Sequence, residues 1–329
     1  MSLERLLREQ VARHIGPELL ECEATIDREL GSPVPMIREV GHYIAGAGGK
    51  RIRPILVLLA ARLAGYRGPR AVHLGCVVEL LHTATLLHDD VVDRAPLRRG
   101  HASANAKWGE DTSILVGDHF YSKSFALLVR DNDQPVMEAL AHATISMTEA
   151  EVFQLEKKRE GTLTEADYLR IITLKTATFI SACCRIGALL GRASQPEVEA
   201  LAAYGLNVGI AFQIVDDSLD FVADEAVLGK AIGADLREGK RTLPLIVTLD
   251  RASPPDRDWI LGVLSRRQAL DGEIANVRRL VMQYDGIGYA LEQALQYAKV
   301  AKTHLATFSD SEEKETLSLI SEYVVDRDR

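Results

Sequence analysis

Cysteine is scarce, with four in 329 residues, and none sits in a CxxC or Cys/His ligand spacing. Cys183 and Cys184 are sequence neighbours whose pairing would be strained, so neither a disulfide framework nor a thiolate metal site is expected. A reduced, cytoplasmic protein with ordinary buried thiols is the simplest reading. Positive charge is also in deficit, 39 Lys and Arg against 47 Asp and Glu, for a formal net charge of −8. That balance argues against nucleic acid as a partner and turns attention to acidic clusters that hold cations. Unbroken apolar runs fall short of the roughly 18 residues of a membrane span, and the opening MSLERLLREQ carries charges where a signal peptide is apolar. No transmembrane segment is therefore expected. Strand-like alternation is nearly absent, and no breaker stretch is long or polar enough to be a linker, which predicts a single domain over 1–329.

What is present is helical periodicity. Apolar residues recur at that spacing over 54–65, 77–90, 177–191, 197–221 and 280–305. Several of these segments are apolar on every face, as expected of central helices buried all round in an all-α bundle of roughly ten or more helices.

Two short stretches interrupt this apolar background in the same way. DDVVD at 89–93 and DDSLD at 216–220 each end a long apolar run, TATLL and GIAFQIV respectively. Their first and last aspartates lie four residues apart, one helical turn, where like charges repel unless a cation sits between them. Oxygen donors without His or Cys suit Mg²⁺, which keeps several waters and commonly bridges carboxylates to phosphate oxygens. A lone acidic helix end is more often a solvated cap. Two such clusters on core helices are able to face each other across a cavity.

Basic residues supply the complementary charge. Arg98 and Arg99 follow the first cluster, Lys50, Arg51 and Arg53 stand in GGKRIRP, and Lys230, Lys240 and Arg241 stand in LGKAIGADLREGKRTLP. Any one alone reads as surface solvation. Together with the acidic clusters they fit a ligand carrying diphosphates, some held through metal and some directly by Lys and Arg.

These motifs stand in the order GGKRIRP, LLHDDVVD with RRG, LKTA, FQIVDDSLD, LGKAIGADLREGKRTLP and YVVDRDR. In that order the chain resembles the trans-isoprenyl diphosphate synthases, and within them the bacterial long-chain polyprenyl branch, nearly end to end. The resemblance implies an all-α isoprenoid-synthase bundle around a central cavity, usually in a homodimer. Its substrates would be isopentenyl diphosphate and an allylic diphosphate: dimethylallyl, geranyl or farnesyl.

Roles carry over by position. Asp89, Asp93, Asp216 and Asp220 would bind Mg²⁺ ions on the allylic diphosphate, with Asp90 and Asp217 as supporting ligands. Arg98, Lys175, Thr176, Gln213, Lys230 and Lys240 would contact that diphosphate, Lys175 and Lys230 acting with the aspartates in catalysis. Lys50, Arg53, His82 and Arg99 would hold isopentenyl diphosphate without metal, and Phe212 would face its double bond, although plain core packing explains a Phe there equally well. Gln154 would line the cavity. The family's frequent glycine in that stretch is Ala150 here, which leaves the local geometry open.

Thr85, Ala84 and Leu81 stand four, five and eight residues before Asp89. Leu81 is then roughly 12 Å down the helix axis. Short-chain relatives commonly carry bulky aromatics four or five before the first aspartate, whereas Thr85 and Ala84 are small. The floor of the channel is then expected deeper, at Leu81, Met147 or Phe153, and the product long, about C30 to C40. Short-chain synthesis is the alternative. A class I terpene cyclase would not need the second aspartate-rich motif with an intact GGKRIRP, and a non-catalytic synthase partner would be expected to have lost motif residues.

Overall fold

The structure, a computed structural model, describes residues 2–46, 48–222, 233–237, 239–266 and 270–326. One expected site residue, Lys230, lies outside these. The fold is all-α; among the described residues the only strands are the two-residue pair Leu97–Arg98 and His101–Ala102.

The chain forms two compact units, one of residues 1–142, 180–205 and 304–320, the other of residues 143–179, 206–303 and 321–329. The first contains α1 (Leu3–Glu29), α2 (Pro35–Gly46), α3 (Ile52–Leu63), α4 (Arg70–Val92), α5 (Ala104–Trp108) and α6 (Glu110–Asp131). Its central helix is α4, whose Leu74, Val77, Val78, Leu81, Ala84 and Leu87 are all buried, so no solvent-facing stripe remains. At the start of α4, Arg70 makes a two-pronged ion pair with Asp131 at the end of α6, 2.9 and 2.7 Å. Small residues bring other helices close. A Cβ on Gly187 would lie 2.5 Å from that of Ala60, so glycine is what lets that backbone approach α3.

Long helices of the remaining sequence are α7 (Gln134–Glu160), α8 (Glu165–Ile172), α9 (Thr178–Leu190) and α10 (Gln195–Val222). A capping box starts α8: Thr164 Oγ1 accepts from Asp167 N–H, and Asp167 Oδ2 accepts from Thr164 N–H. Between α8 and α9 the ladder widens into a π-helical turn, Thr173–Ala177, a feature frequent at functional sites. In the second unit Phe221 at the end of α10 packs with Leu245, Leu249, Ile260, Val277 and Leu280 into a buried core that fixes the segment carrying the second aspartate cluster.

One expectation needs correcting. Three segments, Arg70–Val92, Glu165–Leu190 and Gln195–Val222, are long and apolar enough to cross a membrane by length and composition. Counting unbroken apolar runs missed them, because a few scattered polar residues interrupt a run without making the whole helix polar. In this fold 72%, 61% and 67% of their apolar windows are buried within the protein itself. The four cysteines are buried and unpaired. Burial pushes the Cys22 and Cys183 thiols up to about 12, which keeps them unreactive.

Candidate active site

In the first unit, the helical repeat sorts the aspartates of α4. Asp89 and Asp93 are half-buried and stand one turn apart, while Asp90 points inward and is fully buried. Arg98 pairs with Asp90, donating from Nε at 2.8 Å and Nη2 at 2.7 Å to the same carboxylate oxygen, Oδ1. The Asp90 backbone carbonyl accepts from the Asn105 side-chain amide at 3.0 Å.

Arg98 is delivered by the small hairpin. Leu97 pairs with Ala102 and Arg98 with His101, so the turn consists of Arg99 and Gly100. Both have positive φ, 51° and 79°, the pattern of a two-residue turn that matches strand twist. This is the physical content of RRG: Gly100 needs the left-handed region, and the turn sends the two arginines in different directions.

A basic cluster forms in the same unit. The residue before α3, Arg51, adopts φ 48°, and its guanidinium bonds Glu23 through Nε at 2.5 Å and Nη2 at 3.1 Å and Glu79 through Nη1 at 3.0 Å. Arg53 and His82 are half-buried beside it, and Lys50 is exposed. Burial, and then the charges of Arg53 and Arg99, hold the His82 imidazole well below its ordinary range, so it is neutral at pH 7. Farther back on α4, Leu81 and Ala84 are buried and Thr85 is half-buried.

In the second unit the aspartates follow another pattern. Asp216 is half-buried, whereas Asp217 and Asp220 are buried. Asp217 ends a hydrogen-bonded chain in which Thr176 Oγ1 donates to Gln213 Oε1 at 3.0 Å and Gln213 Nε2 donates to Asp217 Oδ1 at 2.8 Å. The buried Tyr168 hydroxyl donates to the other oxygen of Asp217 at 2.7 Å. Burial and the neighbouring Asp235 push the Asp217 carboxyl up to about 8. Asp220 accepts the Asp235 backbone N–H at 3.1 Å and thereby anchors the segment after α10. Lys175, on the π turn, pairs with Glu151. Phe212 and Lys240 are half-buried.

Within the first unit Asp90 meets Arg98, and within the second Thr176, Gln213 and Asp217 form one chain, so Arg98, Thr176 and Gln213 hold side chains of the protein here rather than standing ready as open cations and amides. Glu79, Tyr168, Glu151 and Asp235, which contact these residues, were not singled out from the sequence. For Glu79 a signal existed: it is a charge inside the apolar run VVELLH, three residues before His82.

Among the described residues no three His, Cys, Asp or Glu side chains form a ready-made metal cage. The donors nevertheless fit Mg²⁺. They are all carboxylates, and the buried Asp90 Oδ2 accepts no hydrogen bond among the described residues. Mg²⁺ takes only one or two protein carboxylates and completes its shell with water and phosphate oxygens, so a full cage is not required.

Comparison with known proteins places the chain in a family. Residues 34–281 match the polyprenyl synthetase family. The chain is 35% identical over 322 residues to an octaprenyl diphosphate synthase of Haemophilus influenzae, covering 97% of both chains. It is 36% identical over 301 residues to a short chain isoprenyl diphosphate synthase of Methanothermobacter thermautotrophicus, covering 90% of this chain and 92% of that one. A polyprenyl synthase of Caulobacter crescentus CB15, solved with calcium and isoprenyl diphosphate, superposes with a TM-score of 0.94 at 37% identity, covering 97% of each chain. The chain belongs to the polyprenyl synthetase family. It is a trans-prenyltransferase of the isoprenoid-synthase fold.

Proposed function

We propose that the protein elongates an allylic diphosphate by repeated head-to-tail condensation with isopentenyl diphosphate, and that its main product is long. The observation that carries this reading is that each unit presents an acidic cluster with at least one buried, hydrogen-bonded aspartate and at least one half-buried aspartate, and that the first unit also gathers Arg53, His82 and Arg99. Asp89, Asp93, Asp216 and Asp220 would hold Mg²⁺, supported by Asp90 and Asp217. When bound, Mg²⁺ neutralises the charge that gathers on the leaving diphosphate.

Lys175, Lys240 and Lys230 add fixed positive charge to the allylic diphosphate, with Arg98, Thr176 and Gln213 in support. The allylic C–O bond breaks, pyrophosphate leaves, and the double bond of isopentenyl diphosphate attacks the resulting carbocation. Loss of one proton to the released pyrophosphate completes a chain five carbons longer with a new trans double bond. The neutral His82 and the Lys50, Arg53 and Arg99 cations hold the second diphosphate, while Phe212 faces the attacking double bond. Apolar helices keep water from quenching the cation.

Buried thiols support a reducing compartment, the cytoplasm.

Two relatives of nearly equal identity carry names of different chain length, so overall similarity does not set the length. Ala84 and Thr85 on α4 support the long product. With farnesyl diphosphate, labelled isopentenyl diphosphate and Mg²⁺, the dephosphorylated products should centre on about C30 to C40, and those of Ala84→Phe on about C15 to C20, with the first condensation still active. A wild type that stops at C15, or an active Ala84→Phe with unchanged products, places the length control elsewhere.

A further inference from the structure

Besides the more exposed Glu23, the basic cluster contains a buried acidic side chain that the proposed reaction does not use. Glu79 lies on α4 and is 5% exposed. Its Oε1 accepts from Arg51 at 3.0 Å, and its Oε2 is buried and accepts no hydrogen bond among the described residues. Arg51 does not depend on it for position, because Glu23 already takes Nε and Nη2 of the same guanidinium. A buried carboxylate with an idle oxygen is costly unless nearby cations repay it.

Such cations surround it. A Cβ on Gly49 would lie 3.1 Å from Nη1 of Arg99 and 3.5 Å from Nη1 of Arg51, so both guanidiniums crowd the same loop. Glu79 also acts electrostatically on Arg53 and on Arg99.

We propose that Glu79 is a resident counter-anion: it balances the arginines of this cluster when no diphosphate is bound and weakens their grip when one is. This rests on the assignment of the cluster to isopentenyl diphosphate. The second half of the proposal matters for an enzyme that elongates repeatedly. After each condensation the lengthened chain is attached to the diphosphate that arrived with isopentenyl diphosphate. That diphosphate must leave the basic cluster before another isopentenyl diphosphate enters, and a cluster without its internal anion would hold it too long. Glu79 is thus a positioning and affinity-tuning residue that touches no substrate.

Glu79→Gln keeps an acceptor oxygen for Arg51 and removes the negative charge. In the full-length protein at low salt, isopentenyl diphosphate should bind about three- to tenfold more tightly by calorimetry, the effect of one charge in a partly screened site. Multi-round turnover should fall, the KM for the allylic primer should stay unchanged, and the unliganded protein should melt at lower temperature. Inorganic pyrophosphate should then raise its melting temperature by more than it raises that of the wild type. Glu79→Asp, which keeps the charge, should bind isopentenyl diphosphate like the wild type. Unchanged or weaker binding by Glu79→Gln overturns the proposal, as does tighter binding with undiminished turnover. Should Glu79→Gln fold only with pyrophosphate present, the proposal stands; a variant that pyrophosphate does not rescue overturns it. Lys50→Ala tests the underlying assignment separately, since it should raise the KM for isopentenyl diphosphate far more than that for the primer. Equal effects on both substrates would refute the assignment of the cluster, whatever Glu79 does.

Discussion

The two aspartate clusters are spelled alike and secured differently. In the first, the inward-facing Asp90 is paired with a full positive charge, Arg98, eight residues away in sequence. In the second, Asp217 is held by neutral groups, the Tyr168 hydroxyl and the Gln213 amide, with Asp235 adding like charge nearby. The first cluster therefore sets its buried carboxyl against a cation, whereas the second keeps a buried carboxyl that holds its proton up to about 8. One motif has been built into two electrostatic environments, and much of the difference lies in residues outside the motif, Arg98 beside the first and Tyr168, Gln213 and Asp235 beside the second.

The largest expected effect is common to both clusters. Asp89→Ala and Asp216→Ala each remove a metal ligand whose value rises as charge moves onto the leaving group. Turnover should fall by about a hundredfold or more, with substrate affinity changing much less. Steady-state assays with labelled isopentenyl diphosphate at saturating Mg²⁺ check this. Retention of more than a tenth of wild-type turnover by either variant would mean that the cluster concerned is not a metal site.

That prediction uses residues the sequence made legible. Spacing of four on a helix identified Asp89 and Asp93 as neighbours on one face, and the structure leaves them half-buried while Asp90 turns inward. The all-α architecture was equally legible, because helical periodicity is local. The contacts that distinguish the clusters were not. Tyr168 meets Asp217 across 49 positions and Arg51 meets Glu79 across 28, separations at which neither residue leaves a mark beside its partner. The π turn under Lys175 and Thr176 was also hidden, since nothing in LKTA distinguishes a widened ladder from an ordinary one.

The next effect should appear only in the first cluster. Arg98→Met leaves Asp90 buried without its counter-charge and should lower the unfolding free energy by about 2–3 kcal/mol, toward the lower end for a broken buried pair because the Arg98 side chain is 26% exposed. Urea titration at pH 7 measures it. Asp90→Asn in the same background should recover most of the loss. A full-strength Arg98→Met protein would reduce the pair to a solvated contact and erase the contrast.

A pH effect should appear only in the second. The folded protein holds a proton on Asp217 up to about 8, whereas the unfolded chain releases it near the ordinary carboxylate value of 3.8. Between those values the folded state binds more protons, so this group's contribution is fully present below the lower value and is lost as pH rises toward about 8. In EDTA, stability measured from pH 7 to 9 should decline and then level off in the wild type. Asp217→Asn should lack that decline. A parallel decline in both proteins would assign the slope to another group.

The smallest effect tests why Tyr rather than a cation stands beside Asp217. A hydroxyl both donates and accepts, so Tyr168 is able to bond the carboxyl in either charge state, whereas an arginine is only a donor and would favour the anion. Tyr168→Phe removes that adaptable partner and leaves the Gln213 amide, which still donates to Oδ1. The loss should be about 1 kcal/mol, the ordinary value of a neutral hydrogen bond. Since the Tyr168 bond also draws the Asp217 carboxyl downward, its removal should move the decline of stability in EDTA to higher pH. Matched urea titrations of Tyr168→Phe and Arg98→Met at pH 7 give the comparison directly. If Tyr168→Phe costs as much as Arg98→Met, Asp217 is an anion in the folded protein, and the two clusters differ in the identity of their partners but not in their charge.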